Sequence, residues 1–557
     1  MKYETIKGRD FNYDVCQKGV EQIIFTDEVA PKGVEIDDLS NDRDGSVVGW
    51  LEDNGVYKVS TQKKGQKVIF NEDCSCMFHG NHAGFSSDVK SIQFNNIDTS
   101  KVTDMSGMFS WCERLEELNL SSFDTSNVTD MKCMFTYCNK LEDIELSSFD
   151  TSNVENMAYM FSDCDKLGQL NLSTFDTSKV TDMSHMFAYC NFKHINLNSF
   201  DTSRVENMGC MFYSCRNLEK IDLNCLDTSN VTDMNNMFHG CRALCELDIT
   251  PMDTSNVEDM AFMFSQCKNL EKLDLSSFDT SQVVDMHSIF SACEKLKELD
   301  LNHFNTTKVE NMDNMFSWCK NLESLNLSIF NTSSVKNMVE MFMGCSNLEK
   351  LDLSSFNTSQ VLDMTEMFYG CSHLKELDLS HFNTSNVKDM TGMFSNCTRL
   401  EKLGINNFDT SNVVEMVEMF NNCKNLKKLD LSSFNAKKLV NMSGMFYGCE
   451  KISKLDLSSF NALKKLEFMQ HTFGECRNLE ELNLNNWKLF KGVKSYGMFS
   501  ECEKLSCLKT TELQLKALYK EWLASQQSQV YSNIDPKNLK INKGKEMQKE
   551  NSIDKEN

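Results

Sequence analysis

No apolar run in this chain approaches the ~20 residues that a membrane-spanning helix needs; the longest are only a few residues. The N-terminus, MKYETIKGRDFNYDVC, has no apolar core of the kind a secretory signal requires, and no apolar stretch precedes Cys16 as it would a lipidated cysteine. These absences lead to the expectation of a cytoplasmic protein without a transmembrane segment. Positive charge is also short: 57 Lys and Arg against 81 Asp and Glu leave a net charge of −24, with the lysines interleaved among acids. Phosphate contact needs a basic surface, so a nucleic-acid partner is excluded. Catalytic groupings are missing too. The 10 histidines are scattered, and none stands with a Ser or Cys in a known arrangement. No phosphate loop or dinucleotide fingerprint occurs. His185, His239, His287 and His471 read as variable surface residues near the MF pairs described next, and His303, His373 and His381 as loop or turn residues. No catalytic, cofactor-binding or metal-binding residue is assigned.

What the chain does have is a ladder of cysteines. They stand at 112, 138, 164, 190, 215, 241, 267, 293, 319, 345, 371, 397, 423, 449, 476 and 502, so every step is 26 residues except 25 before Cys215 and 27 before Cys476. Each closes a unit of the form LxxLxLSSFDTSxVxxMxxMFxxCxx. Self-similarity at this period marks a solenoid, and LxxLxL within it reads as a leucine-rich repeat. In Leu118, Leu120 and their equivalents the apolar residues alternate, as a strand requires. From Val128 through Met131, Met134, Phe135 and Cys138 they fall at i, i+3, i+6, i+7 and i+10, which suits one face of a helix or a run of short helical turns. Ser152 to Glu155, Ser203 to Glu206 and Ser255 to Glu258 match the spacing of a helix capping box. The expected fold is an α/β repeat: a right-handed solenoid of about 16–17 coils, with parallel strands on one face and short helical segments on the other. One coil buries too little to fold alone, so stacked neighbours must share a core.

Departures from the repeat divide the chain into an N-terminal cap region (1–72), the solenoid (73–507), a capping helix (508–530) built around Leu513, Leu515, Leu518, Trp522 and Leu523, and a disordered charged tail (531–557). The first unit has Asn81 where the ladder cysteine belongs. Near the other end Thr472 replaces the second Met, and one extra residue enters between Phe460 and Cys476.

The 16 ladder cysteines are expected to be core thiols, and a reducing setting would leave all 24 cysteines as thiols. Helical coils would stack 8–10 Å apart, beyond the ~7 Å between Cα atoms that a disulfide tolerates. The off-ladder cysteines 16, 74, 76, 133, 210, 225, 245 and 507 form no CxxC…CxxC zinc pair. Sequons at Asn119, Asn171 and Asn326 fall within strands, with others at Asn331, Asn357 and Asn383, so glycosylation would place sugars on packed coils.

Two acidic columns run along the repeat. The first, Asp98 through Asp279 in FDTS, becomes Asn305, Asn331, Asn357 and Asn383 without loss of the pattern; exchange of carboxylate for amide points to Asx turns or caps and not to a cation site. The second lies between the two leucines: Asp222, Asp248, Asp274, Asp300, Asp352, Asp378, Asp430 and Asp456. Neighbouring parallel strands are ~4.8 Å apart, so these carboxylates should repel, and the adjacent column Lys220, Glu246, Lys272, Glu298, Lys350, Glu376, Lys402 relieves this by alternating in sign. The strip is either a solvated, self-neutralised face or a concave surface that docks a protein partner. It holds almost no aromatics, which stand instead after the MF pairs at Trp111, Tyr137, Tyr189, Tyr213, Trp318, Tyr369 and Tyr447.

LSSFDTSNVTDMKCMFTYC, SSFDTSNVENMAYMFSDC and their successors resemble the BspA-like leucine-rich-repeat family over about residues 68–507, and DGSVVGWLEDNGVYKVS followed by DCSCMF resembles the segment that leads into its first coil. The resemblance implies a non-enzymatic adhesion or binding scaffold at a cell surface, against the cytoplasmic placement that the missing signal suggests. An intracellular interaction module is the alternative, and an enzyme with an unrecognised site the remote one. In either of the first two forms the partner is a protein, engaged by many modest contacts along some 80 Å of surface at ~4.8 Å per coil.

Overall fold

The structure, a computed structural model, describes residues 2–80, 89–461, 463–490 and 492–532. Asn81 and most of the charged tail lie outside the described residues. Along the repeat most units contribute a strand of two or three residues, and where strands of neighbouring units pair they do so in parallel, one unit apart in the chain, as in Glu246↔Lys272, Leu325↔Leu351 and Leu377↔Leu403. A second parallel ladder of single-residue bridges runs from Asp73↔Asp104 to Phe468↔Lys494. The leucine-rich solenoid read from the sequence is therefore present, built on two parallel ladders.

Its other face differs from the helical segments expected. Within the coils the MxxMFxxC stretch forms consecutive four-residue turns. In the coil of Met131 to Cys138, alternate N–H groups leave the coil altogether: Met131, Cys133, Phe135 and Tyr137 donate to Asn156, Ala158, Met160 and Ser162 of the next coil at 2.8–3.0 Å. The N–H groups between them stay at home. Met134, Thr136 and Cys138 each donate to the carbonyl three residues back at 3.2 Å, and Lys132 donates to Asp130 Oδ1 at 2.8 Å. Cys133 and Tyr137 are left-handed, with φ of 57° and 61°, a conformation no α-helix contains. A helix would pair these N–H groups within its own coil; a stack offers each coil a neighbour's carbonyls as well, and the turns use both. The capping-box spacing thus caps no helix: Ser152 N–H and Oγ bind Asp150, and Val154 N–H closes a turn on Thr151.

Apolar positions of the repeat all point inward. Phenylalanines of the MF pairs form one column of parallel rings from Phe78 to Phe499, with centroids 5.4–6.2 Å apart and planes within 1–14°. That is offset stacking at coil spacing. At one end Phe11, on helix α1 (Gly8–Val15), meets Phe78 edge-on at 5.7 Å. Here β1 (Gln22–Phe25), β2 (Asp37–Asp38), β3 (Val48–Leu51) and β4 (Val56–Ser60) form a mixed sheet in the order β2-β3-β4-β1, and β1 pairs in parallel with Ser91–Phe94 of the first coils. At the other end Tyr519 and Trp522, on helix α2 (Leu513–Ser532), lie 6.0 and 6.1 Å from Phe499. Thr472, which replaces a core Met, remains buried by donating its hydroxyl to Met469 O at 2.8 Å.

Direct coil-to-coil hydrogen bonds set the coils at sheet spacing, ~4.8 Å, so the helical distance expected to forbid disulfides does not apply. The 16 ladder cysteines are nonetheless free and buried. Each Sγ donates to the phenylalanine carbonyl of the coil before it, as in Cys138 to Phe109 at 3.3 Å and Cys319 to Phe290 at 3.1 Å. Burial pushes the thiols up, to about 12 at Cys267, Cys319, Cys397 and Cys449. These buried ladder thiols are therefore poor nucleophiles.

Candidate strand-face site

The eight aspartates of the inner column all lie on the strand face and are exposed. Each is held by its own turn: Oδ1 accepts the N–H two residues on, at 3.0 Å for Asp222, Asp248, Asp274, Asp300, Asp378 and Asp430, and at 2.9 Å for Asp352 and Asp456. Backbone N–H donation holds the carboxyls of Asp222, Asp274, Asp352 and Asp378 below their ordinary range, assisted by a neighbouring side chain. At Asp430 and Asp456 the following serine side chain contributes most. Parallel pairing places Asp352 beside Asn326 and Asp378 beside Gly404. A Cβ on Gly404 would meet Asp378 Oδ1 at 2.5 Å, so that carboxylate leans over the next coil.

Ion pairs also join neighbouring coils. Lys402 pairs with Glu376 at 2.6 Å across adjacent strands, Lys427 with Glu401 at 3.0 Å, and Glu294 binds Lys268 and Lys320 at 2.8 Å each. These pairs are largely solvent-exposed and individually worth little, about 0–1 kcal/mol. Shallow concavities open on this face. One, of about 550 Å³, spans the strands from Ser324 to Glu376 and includes Asp352. Another, of about 440 Å³, includes Asp274 and Asp300, and a third, of about 730 Å³, spans Glu116 to Glu145 and includes none of the eight aspartates.

The FDTS column behaves as the exchange of Asp for Asn suggested. Asp124 and Asn331 each accept the N–H of the serine two residues on, at 3.1 and 3.0 Å, a bond that either side chain makes equally well. Beneath it lies a ladder that composition and periodicity did not reveal. Thr125, buried, donates Oγ1–H to Asp150 O at 2.9 Å and accepts Asp150 N–H at 2.8 Å. The donor contact recurs from Thr99 to Thr410. A hydroxyl is the one small side chain that both donates and accepts, and the persistence of Thr where its neighbour varied was the available signal.

Other residues find structural places. His303 and His381 reach Leu275 O and Leu353 O of the preceding coil at 2.6 and 2.8 Å, and His373 reaches Ser346 O at 2.6 Å. His185 and His239 are half-buried against Tyr159 and Tyr213 at 4.1 and 4.8 Å, more than variable surface residues, and burial lowers their pKa. Trp111 stacks on Tyr137 at 3.7 Å. The sequon asparagines 119, 171, 326, 331, 357 and 383 are exposed, so sugars there would project from the coils and not into them. Among the described residues no group of three or more potential metal ligands comes together, and no helix is long and apolar enough to cross a membrane.

No curated protein matches the sequence. Solved structures similar to it include a leucine-rich repeat protein from Bacteroides ovatus (18% identity, 84% of this chain and 98% of that one, TM-score 0.32). A leucine-rich cell surface protein from Faecalibacterium prausnitzii matches at 14% identity over 58% of this chain and 79% of that one, with a TM-score of 0.25. The functional domain of InlJ from Listeria monocytogenes, described as including a cysteine ladder, matches at 17% identity over 72% of each chain, with a TM-score of 0.22. At these scores none of the three carries an argument, and the fold stands on the ladders described above. The family model of DUF285, described as a Mycoplasma protein of unknown function, matches residues 72–190, 167–246, 242–329, 285–403 and 389–511. Those matches cover the whole run of coils, and the chain belongs to the DUF285 family.

Proposed function

We propose that the chain is a non-enzymatic scaffold that docks a protein partner along its strand face, through the row Asp222, Asp248, Asp274, Asp300, Asp352, Asp378, Asp430 and Asp456. The observation that carries this reading is that each of these carboxylates is exposed yet already fixed by its own turn. These side chains would lose little freedom on binding a partner, and many modest contacts in a row add through effective concentration. Changing Asp248, Asp274 and Asp300 together to Asn keeps the oxygen that accepts the turn N–H and removes three charges. Partner capture is expected to fall while the melting temperature stays within about a degree. Unchanged capture would move the docking surface off this strip.

The BspA-like resemblance supports placing the scaffold at a cell surface, as an adhesin; an intracellular interaction module is the second form. Protease treatment of intact cells separates them. The adhesin form predicts cleavage in step with an exposed control protein, and survival of the chain under those conditions would sink it.

A further inference from the structure

On the turn face, away from the strand-face strip, a concavity of about 720 Å³ opens over the last coils. Gly444 is part of its lining. Each coil has left-handed positions before the second Met and before the cysteine, and a side chain in the first of them lies over the next coil: Tyr159 stacks on His185 at 4.1 Å. In the coil ending at Cys449 the first of these is Gly444, with φ of 62°, and two coils on it is Gly497, with φ of 66°. Neither fills the groove. A Cβ at Gly444 would stand 3.0 Å from Glu418 Cγ, and one at Gly497 2.4 Å from His471 Cε1, so Glu418 and His471 lie across the glycines and wall the opening.

The walls combine aromatic rings with planar polar groups. Tyr447 and His471 line the cavity together with Asn421, Gln470, Glu475 and Glu501. Tyr447 donates its hydroxyl to Glu475 Oε1, which fixes both side chains. Tyr496, which is not part of the lining, meets the lining His471 edge-on at 5.4 Å and is 80% exposed. No Lys or Arg lines the space, so it is not built for a phosphate or carboxylate. Its volume falls within the ~300–1,000 Å³ of small-ligand sites.

We propose that this cavity binds a short, neutral saccharide. Carboxylates accept from, and amides accept from and donate to, adjacent hydroxyls in pairs, and an amphipathic ring such as Tyr447 offers an apolar surface to the C–H face of a sugar while keeping a polar edge wet. The site is independent of the strand-face docking reading, since it lies on the opposite elements of the coil and shares no residue with that row.

Isothermal titration of the full chain with chitotriose, maltotriose and lactose, with spermine as a cationic control, tests the proposal. At least one saccharide is expected to bind, and Tyr447→Ala and Glu501→Gln, both in the lining of the cavity, are each expected to weaken it at least about tenfold with the melting temperature within about a degree. Binding of spermine alone, saccharide binding indifferent to both variants, or no saccharide binding at millimolar concentration would each overturn it.

Discussion

Replacing Phe316 by alanine is expected to cost about 3–5 kcal/mol, the range for removing a fully buried phenylalanine from a core that cannot collapse onto the gap. Phe316 is inaccessible to solvent and stacks on Phe290 at 5.8 Å and on Phe342 at 5.6 Å. The backbone around it is tied to both neighbouring coils, Phe290 N–H donating to Met315 O and Phe316 N–H to Met341 O, so the coils cannot close up. Because a solenoid is coupled only through nearest neighbours, the loss falls on two interfaces and not on the whole array. Urea denaturation followed by far-ultraviolet circular dichroism should therefore show a midpoint lowered in step with the cost, and a transition broadened or split in two as the flanking halves unfold separately. Phe316→Leu, which retains most of the apolar volume, should lose less. A loss below about 1 kcal/mol for the alanine variant would mean that the ring column is not what couples the coils.

The threonine ladder makes the second large prediction. Thr306 is buried, donates Oγ1–H to Asn331 O at 2.9 Å and accepts Asn331 N–H at 2.8 Å. Thr306→Val keeps the shape and removes both bonds, leaving one N–H and one carbonyl without their partner; about 1–3 kcal/mol should be lost. Thr306→Ser keeps both bonds and gives up a methyl group, with a cost near 0.8 kcal/mol. Thermal unfolding of the pair ranks them: serine should lie closer to the parent than valine. The reverse order would make the methyl, and not the hydroxyl, the reason threonine is used.

Much of this architecture was legible in the chain. The 26-residue step fixed which leucines share a column, and strand register follows it residue for residue, as in Glu246↔Lys272. Exchange of Asp for Asn in FDTS foretold a hydrogen-bonding role, found at both Asp124 and Asn331. The conformation of MxxMFxxC was not legible, since apolar spacing of three and four residues fits a helix and a train of four-residue turns equally. Left-handed Cys133 and Tyr137 carry no mark in their residue type, because non-glycine side chains rarely adopt that conformation and none is diagnostic of it. The turn-face cavity is hidden for a related reason: nothing in the repeat marks the glycines at 444 and 497, and only the structure places Glu418 and His471 across them.

The sequence by itself determined the repeat, its inward-facing residues and the row of aspartates along the strands, because those depend on the periodicity of side chains along one chain. Only the tertiary structure decided that alternate N–H groups of each turn segment leave their own coil, that the cysteines donate to a neighbour's phenylalanine carbonyl, and that threonine hydroxyls bridge one coil to the next. Those bonds join residues some 25–29 positions apart. Their partners exist only once a second coil has stacked on the first, so no local preference of the chain can specify them.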